Sequence, residues 1–521
     1  MAKSNENLRK LLENRALEHA EKTFLFSEAD CREWSYSAFD TAVNRTANLL
    51  ISYDIKKGDV VSLLLPNSAE YVIAYFACFK IGALAGPVNS LLKSEEIEYV
   101  TSNSESKLML INSQFSHLAA DSDLPVPPAA GGLTSGDRGA GIVPKINFDN
   151  EAAATTGFSE TLAPVDLDSG DDAIIIYTSG TTGKPKGCLL THGNLIANAR
   201  QIVEWLSFSE NDRLLSVMPL FHMNAVSVTT MAALYAGAST VVSPKFSASR
   251  FWEIIEKYKI TSFGSVATML SMLLQKKDQL TANSNSLRFA MCGSAPVPTE
   301  VLKTFEESFD CLVVEGYGLS ESTCRSTFNP PDKTRRPGSC GKAIGNEMKV
   351  VDDNDNEVPD GELGEIVLRG DNIFKGYFKN PEATAKAFRN GWFHTGDIGY
   401  RDADGFFYIA DRKSDMIIRG GENIYPREID EVLYTHPAVA AAAVIGVPDK
   451  LYGEEVTAFV VLRNDSAVSE DDLIAFCRQH LADYKCPKTV HFVDDIPKGP
   501  TGKLLKRELA RLAAESLKVK V

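Results

Sequence analysis

Short β-rich apolar runs alternate with longer helical patterns along most of this chain, and the short runs end in Gly, Ser or Pro. VVSLLLP (60–66) leads into SAEYVIAYFACFKIGA (68–83), and LLSVMPL (214–220) leads into a small-residue helical pattern around 226–236. Such alternation predicts α/β architecture with largely parallel sheets. TSFGSV (261–266), LRFAMCG (287–293) and CLVVEGYG (311–318) are further buried-strand candidates. Their turn-rich ends are where open α/β sheets bind ligands.

A chain of 521 residues exceeds what one hydrophobic core organises, so two or more domains are expected. The texture changes at three places. Pro/Gly/Ala-rich sequence at about 121–156 predicts a surface excursion. From Val350 onward, VVDDNDNEVPDGELGEIVLRG and GWFHTGDIGYRDADGFFYIADR predict antiparallel strands joined by Asp/Asn-Gly turns. After Arg412 compact elements restart, REIDEVLYTHPAV as a helix and EVTAFVVLR as a strand, which puts a boundary between residues 1–413 and 414–521.

The formal charge of −15 argues against nucleic acid as a partner, because phosphate backbones are bound by clustered Lys and Arg. The basic residues are not evenly spread: from Leu481 to Val521, nine Lys plus Arg stand against five Asp plus Glu. No run approaches the roughly 20 apolar residues of a membrane span, and the N-terminus lacks a signal-peptide pattern. No integral membrane association and a cytoplasmic location are therefore expected. Nine cysteines without a CxxC pair read as reduced thiols.

AIIIYTSGTTGKPKGCLLTHGN (173–194) joins a buried strand to a Gly-rich loop and then a helical pattern after Thr191. Gly180, Gly183 and Gly187 permit close backbone approach. The hydroxyls of Thr178, Ser179, Thr181 and Thr182 can donate, and Lys184 and Lys186 supply charge. Together these make a phosphate cradle. GxxxxGK[ST] is absent and Pro185 interrupts the place where a helix would open, so a β-hairpin loop is predicted rather than a P-loop.

The eleven residues YTSGTTGKPKG (177–187) resemble the phosphate-loop signature of the adenylate-forming superfamily, which contains acyl-CoA synthetases, peptide-synthetase adenylation domains and luciferases. Further motifs follow in that family's order, and the resemblance covers the chain from about Asn5 to Leu512. GSAPVP resembles the loop along adenine, through Gly293, Ser294, Ala295 and Pro296. EGYGLSES resembles the aromatic-glycine-hydroxyl-acid element spanning Glu315 and Gly316. In it, Tyr317 would stack on adenine, Ser320 would bond near the α-phosphate and Glu321 would hold Mg²⁺. A hard carboxylate suits that hard cation.

In HTGD, Asp397 would accept the ribose hydroxyls. In DRKSDMIIRGGENIYPREID, Arg412 would reach ribose or phosphate, Ser414 would be the hinge, and Gly420, Gly421 and Asn423 belong to the segment that meets CoA. Many relatives have Asp or Lys at the hinge. In PKGPTGK, Lys503 aligns with the C-terminal catalytic lysine. Tyr452 and Tyr484 resemble aromatic CoA contacts, with ordinary packing weighing equally, and Cys486 stands where some relatives carry Arg.

The resemblance implies an N-terminal domain of α/β subdomains plus a small β-barrel-like subdomain, followed by a small mobile α+β C-terminal domain. It also implies an AMP-forming acid–CoA ligase using ATP, Mg²⁺ and coenzyme A on a small-molecule carboxylic acid, with a homo-oligomer admitted. His222 resembles a residue gating the carboxylate entrance. The Asp that follows the equivalent Phe in amino-acid-activating domains is missing from PLFHMNA, which favours an acid without an α-amine. Met223, Val226, Phe263, Val266 and Met269 could line an apolar wall or be core, and Arg325 could meet a polar acyl tail or support its loop. The rival readings are a ligase loading a carrier-protein phosphopantetheine, a luciferase-like oxygenase, and a catalytically silent adenylate-binding protein.

Overall fold

The computed structural model describes residues 6–119, 143–178, 185–277, 285–294, 297–463, 466–497, 506, 508–511 and 513. It is a mixed α/β structure with a large N-terminal part and a smaller C-terminal part. The large part is built on two seven-stranded sheets. At the centre of one, Val60–Leu64 pairs in parallel with Leu84–Pro87 and Ser106–Ile111. Every residue of that central strand is buried, as a parallel sheet covered on both faces requires.

The helix Ala69–Ile81 explains the apolar run after this strand. It is buried on all sides, because it packs against Thr23–Ser27 of one sheet and Val60–Leu64 of the other. The Ser68 hydroxyl caps its start by accepting from the Tyr71 N–H at 3.3 Å. Gly82 ends it at φ +73°, where a Cβ would meet Leu167 Cδ2 at 2.6 Å.

In the second sheet, Arg213–Ser216, Ser262–Ser265, Phe289–Cys292 and Leu312–Glu315 run parallel and adjacent. Their carboxyl ends therefore line up, and the loops that follow all open at one edge. The pattern around 226–236 is helical, but of two kinds: Asn224–Met231 is a π-helix and Ala232–Ala236 continues it as α-helix. Thr230 Oγ1 donates to the carbonyl of Ala225, five residues back, at 3.0 Å.

Part of the stretch expected as an excursion over 121–156 is regular structure instead. Residues 120–142 lie outside the described residues, but Lys145–Asn147 is a strand pairing in parallel with Ser106–Ile111. Lys145 and Ile146 are buried, and Glu151–Ala154 is a short helix with Glu151 buried beneath Arg45. A three-residue strand is too short to carry a period, which is why composition alone reads as loop.

Beyond Val350 the antiparallel strands are present. Glu347–Val351, Gly364–Arg369, Trp392–Arg401 and Phe407–Arg412 belong to one five-stranded sheet. A Gly341–Phe407 bridge links it to the ribbon formed by Thr327–Phe328 and Lys342–Ala343. One large core runs from Leu8 to Phe407, and two small ones lie between Ile417 and Ala513. In the C-terminal part, the helices Pro426–Tyr434 and Glu470–His480 accompany a five-stranded sheet containing Val439–Asp449 and Gly453–Leu462. Among the described residues no helix is long and apolar enough to cross a membrane.

Candidate active site

The strand Asp172–Thr178 returns as Lys186–Thr191 in an antiparallel pair, with Thr178 opposite Lys186. The two strands that flank the Gly-rich segment therefore pair as a hairpin would. Ser179, Gly180, Thr181, Thr182, Gly183 and Lys184 lie outside the described residues. At the base of the hairpin Thr178 Oγ1 is 3.5 Å from Glu321 Oε1, and Lys186 Nζ stands 5.3 Å above the Tyr377 ring. The helix His192–Leu206 follows directly, capped by Thr191, whose hydroxyl accepts from Asn194 N–H.

Glu321 sits in the single turn Ser320–Ser322 and accepts a hydrogen bond from the Tyr377 hydroxyl at 3.0 Å. Burial pushes its carboxyl above the usual range. Directly after the turn, Thr323 takes φ +66°, and Cys324 N–H reaches back to the Ser322 carbonyl at 2.8 Å. This is a tight, strained reversal of a kind that collects at functional sites. The Thr323 hydroxyl anchors it by donating to the Asn372 carbonyl at 2.7 Å.

Three motifs far apart in sequence meet beside Tyr317. Its hydroxyl donates to Asp397 Oδ2 at 2.5 Å, and Arg412 Nε lies 3.3 Å from Asp397 Oδ1. Asp397 is buried, so this carboxylate is held between a phenol and a guanidinium. Burial, followed by the Asp397 charge, pushes the Tyr317 phenol well up. Gly293 and Ser294, at φ +69°, close the end of the Phe289–Cys292 strand, while Ala295 and Pro296 lie outside the described residues.

A cavity of about 990 Å³ opens at these strand ends. Gly293, Ser294, Glu315, Gly316, Tyr317, Asp397 and Arg412 line it from the N-terminal part, and Arg427, Asp430 and Lys506 from the C-terminal part. Lys506 Nζ lies 3.9 Å from both Asp411 and Asp430, and burial raises the Asp430 carboxyl to about 7. Lys503 lies outside the described residues. Ser414 occupies the turn between Phe407–Arg412 and Ile417–Arg419, with its hydroxyl on Asp415 Oδ1 at 3.0 Å.

Residues expected to meet CoA stand elsewhere. Gly420 and Gly421, at φ +61° and +92°, turn a two-residue hairpin between Ile417–Arg419 and Glu422–Ile424, which contains Asn423. Tyr452 packs on this turn beneath the Arg419 guanidinium, 4.1 Å from its ring centre. Tyr452 and Tyr484 are exposed, and none of these five residues borders the cavity.

The expected acyl wall is also off the cavity. His222, Met223, Val226, Phe263 and Val266 are not on its lining. Phe263 is core, edge-on to Phe251 at 4.9 Å. Val226 borders a separate gap of about 10 Å³ with Tyr75 and Leu220, and Val266 precedes the helix Ala267–Gln275. The His222 ring rests against Phe221 at 4.6 Å, and burial lowers its pKa to about 4, so it is neutral near pH 7. Tyr377 and Arg427 belong to the site without having been singled out. Tyr377 sits in no motif, Arg427 lies in the segment that ends in PREID without a role assigned to it there, and only their contacts mark them.

Glu315 supplies a stability prediction. Burial raises its carboxyl to about 8, against the lowering effect of the Gly338 N–H at 3.0 Å. Between about pH 4.5 and 8 the folded state therefore keeps a proton that the unfolded chain has lost, so Glu315 makes stability fall as pH rises through this window. Melting curves across that range should show a shallower fall for Glu315→Gln than for the wild type. Parallel slopes would refute the assignment.

A cavity at parallel strand ends, bordered by the Tyr317 ring and the buried Asp397 carboxylate, with the base of a Gly-rich hairpin beside Glu321, is the arrangement of an adenylate-forming type of enzyme. Residues 12–378 match the family model described as AMP-binding enzyme, and 428–503 match AMP-binding enzyme C-terminal domain. The chain is 35% identical over 514 residues to the probable CoA ligase CCL9 of Humulus lupulus, covering 97% of this chain and 96% of that one. It is 35% identical to the sulfoacetate–CoA ligase of Cupriavidus necator, covering 97% of each. ATP-bound MatB from Rhodopseudomonas palustris superposes with a TM-score of 0.87 at 30% identity, covering 97% of this chain and 99% of that one. The chain belongs to the AMP-binding enzyme family, in its branch of CoA ligases.

Proposed function

We propose that this protein is an AMP-forming acid–CoA ligase that runs two half-reactions at the cavity, with a domain boundary at 413/414. The meeting of Tyr317, Asp397 and Arg412 carries this reading, because it joins three separate nucleotide motifs at one place. Tyr317 presents a ring for adenine, Asp397 accepts from ribose hydroxyls, and Arg412 pairs with that carboxylate. The Tyr317 hydroxyl already satisfies one Asp397 oxygen, so ribose binding exchanges or shares that bond.

Mg²⁺ fits the donor set. Among the described residues no cluster of three or more His, Cys, Asp or Glu offers a closed metal cage. One carboxylate, Glu321, beside one hydroxyl, Thr178, suits a hard cation that also takes phosphate oxygens and water. When bound, the ion neutralises phosphate charge.

In the first half-reaction a substrate carboxylate oxygen attacks the α-phosphorus, the bond to the bridging oxygen breaks, and pyrophosphate leaves. The chain needs no nucleophile of its own for this. It supplies alignment and charge, through the hairpin base, Ser320 and Lys503. In the second half the CoA thiol attacks the acyl carbonyl, loses its proton and expels AMP. Arg427, Asp430 and Lys506 on the cavity support an arrangement with the lysine-bearing side of the C-terminal domain turned inward. Rotation about Ser414 then exchanges that side for the Gly420–Gly421 turn, whose lack of side chains lets pantetheine pass.

The test is AMP release with and without CoA across a panel of acids. CoA-dependent thioester is the expected result. AMP or hydroxamate without thioester would point instead to a carrier-protein acceptor.

A further inference from the structure

Three glycines at the ends of three adjacent parallel strands share one face of their sheet. Gly264 lies in Ser262–Ser265 opposite Met291, Gly293 follows Phe289–Cys292, and Gly316 follows Leu312–Glu315, which pairs Glu315 with Cys292. Alternation along each strand puts all three on the same side. Against that face lie an amide, a guanidinium and a ring. A Cβ on Gly264 would stand 2.9 Å from Asn224 Oδ1, one on Gly293 2.5 Å from Arg325 Nη1, and one on Gly316 2.5 Å from Phe328 Cδ1. Gly293 and Gly316 border both the guanidinium and the large cavity.

Arg325 is only 2% exposed, and its guanidinium, 5.3 Å above the Phe328 ring, has no carboxylate partner among the described residues. Nε and Nη2 have no hydrogen-bond partner among the described residues, and Nη1 makes one long bond, 3.5 Å, to the Gly316 carbonyl. Both polar atoms of the buried Asn224 side chain are likewise unpartnered. The backbone beneath shows the opposite state. Asn198 accepts from Arg325 N–H at 3.3 Å and donates to its carbonyl at 2.7 Å, and Asn372 donates to the same carbonyl. Ser227 donates to Asn198 at 2.9 Å, which ties this point to the π-helix that carries Asn224.

A guanidinium cannot shed its proton, and burying a cation without a counter-charge is strongly unfavourable. An arginine serving only its own loop would spend its donors on that loop. This one is held by its backbone while Nε and Nη2 of its fork find no partner among the described residues, and a fork of that shape matches an oxyanion. We propose that Arg325, with Asn224 one strand away, receives a second anionic group carried by the acyl portion of the substrate. The acid activated is then one with a second carboxylate or a sulfonate, and a plain fatty acid is a poor substrate. This rests on the reading of the protein as an acid–CoA ligase.

The test measures CoA-dependent AMP release with α,ω-dicarboxylates and ω-sulfocarboxylates of three to six carbons, each paired with the monocarboxylate of equal length, benzoate and hexadecanoate being added as further monoacids. The wild type is expected to prefer a dianionic acid by about 10-fold or more in kcat/KM, and the two dianionic arms distinguish carboxylate from sulfonate. Arg325→Met should lower kcat/KM for that acid on the order of 100-fold while leaving its monoacid partner unchanged or improved. Arg325→Lys, which keeps charge without the fork, should fall between them. It decides the matter together with the wild-type panel if Arg325→Met does not fold. Preference for monoacids at every length, or equal loss on both members of a pair, would overturn the inference and leave the ligase reading standing. Absence of CoA-dependent AMP release with every acid would overturn both.

Discussion

Replacing Lys503 by alanine is expected to abolish acyl-adenylate formation and to leave thioester formation from supplied acyl-adenylate intact. The first half-reaction concentrates negative charge on the α-phosphate and the departing pyrophosphate. A preorganised cation there acts most strongly in the transition state. Losing one such donor costs on the order of 100- to 1,000-fold in the adenylation rate. The second half expels AMP from a carbonyl centre, and under the proposed rotation about Ser414 it follows the turning away of the lysine-bearing side, so its rate should hold within about 3-fold. Pyrophosphate exchange reads the first step, and thioester appearance from synthetic acyl-adenylate reads the second. Equal loss in both assays would refute the division of labour between the two faces of the C-terminal domain.

Glu321→Gln is expected to be nearly as severe, for a different reason. The substitution keeps shape and an acceptor oxygen, so the bonds from Tyr377 and Thr178 can persist and the fold should hold. What it removes is the negative charge. MgATP affinity should weaken on the order of 10- to 100-fold, and adenylation should fall with it. A second readout follows from the raised carboxyl of Glu321. A cation needs the ionised form, so wild-type affinity should rise with pH and the Gln variant should lose that dependence. Titration calorimetry of MgATP at several pH values checks both points. Unchanged affinity and an unchanged pH trend would remove Glu321 from the cation site.

The parts of the site that local chemistry builds were legible in the sequence. Pro185 and the glycines around it favour a hairpin, and the strand pair with Thr178 opposite Lys186 is one. The parallel strands end at Gly293 and Gly316, as their turn residues require. The excursion was over-read because Lys145–Asn147 is too short to show a period, and its strand exists only through its neighbour Ser106–Ile111. The apolar residues stayed open between pocket and core because an apolar residue after a buried strand serves either equally well, and Phe263 packs in the core against Phe251. The π-helix Asn224–Met231 carries the same small-residue pattern as an α-helix, so composition does not separate the two.

By itself, then, the sequence determined most element types, the order of the nucleotide motifs and the chemistry available to each. Turn propensity, strand alternation and phosphate-binding backbone act over a few neighbouring residues. Only the tertiary structure decided which side chains answer one another. Tyr317 and Asp397 are 80 positions apart, Glu321 and Tyr377 are 56 apart, and Arg325 is left with no carboxylate among the described residues. Pairings and vacancies of that kind are set by how separate elements pack. Hydrogen bonds and charges act through space over a few ångströms, whatever the distance along the chain.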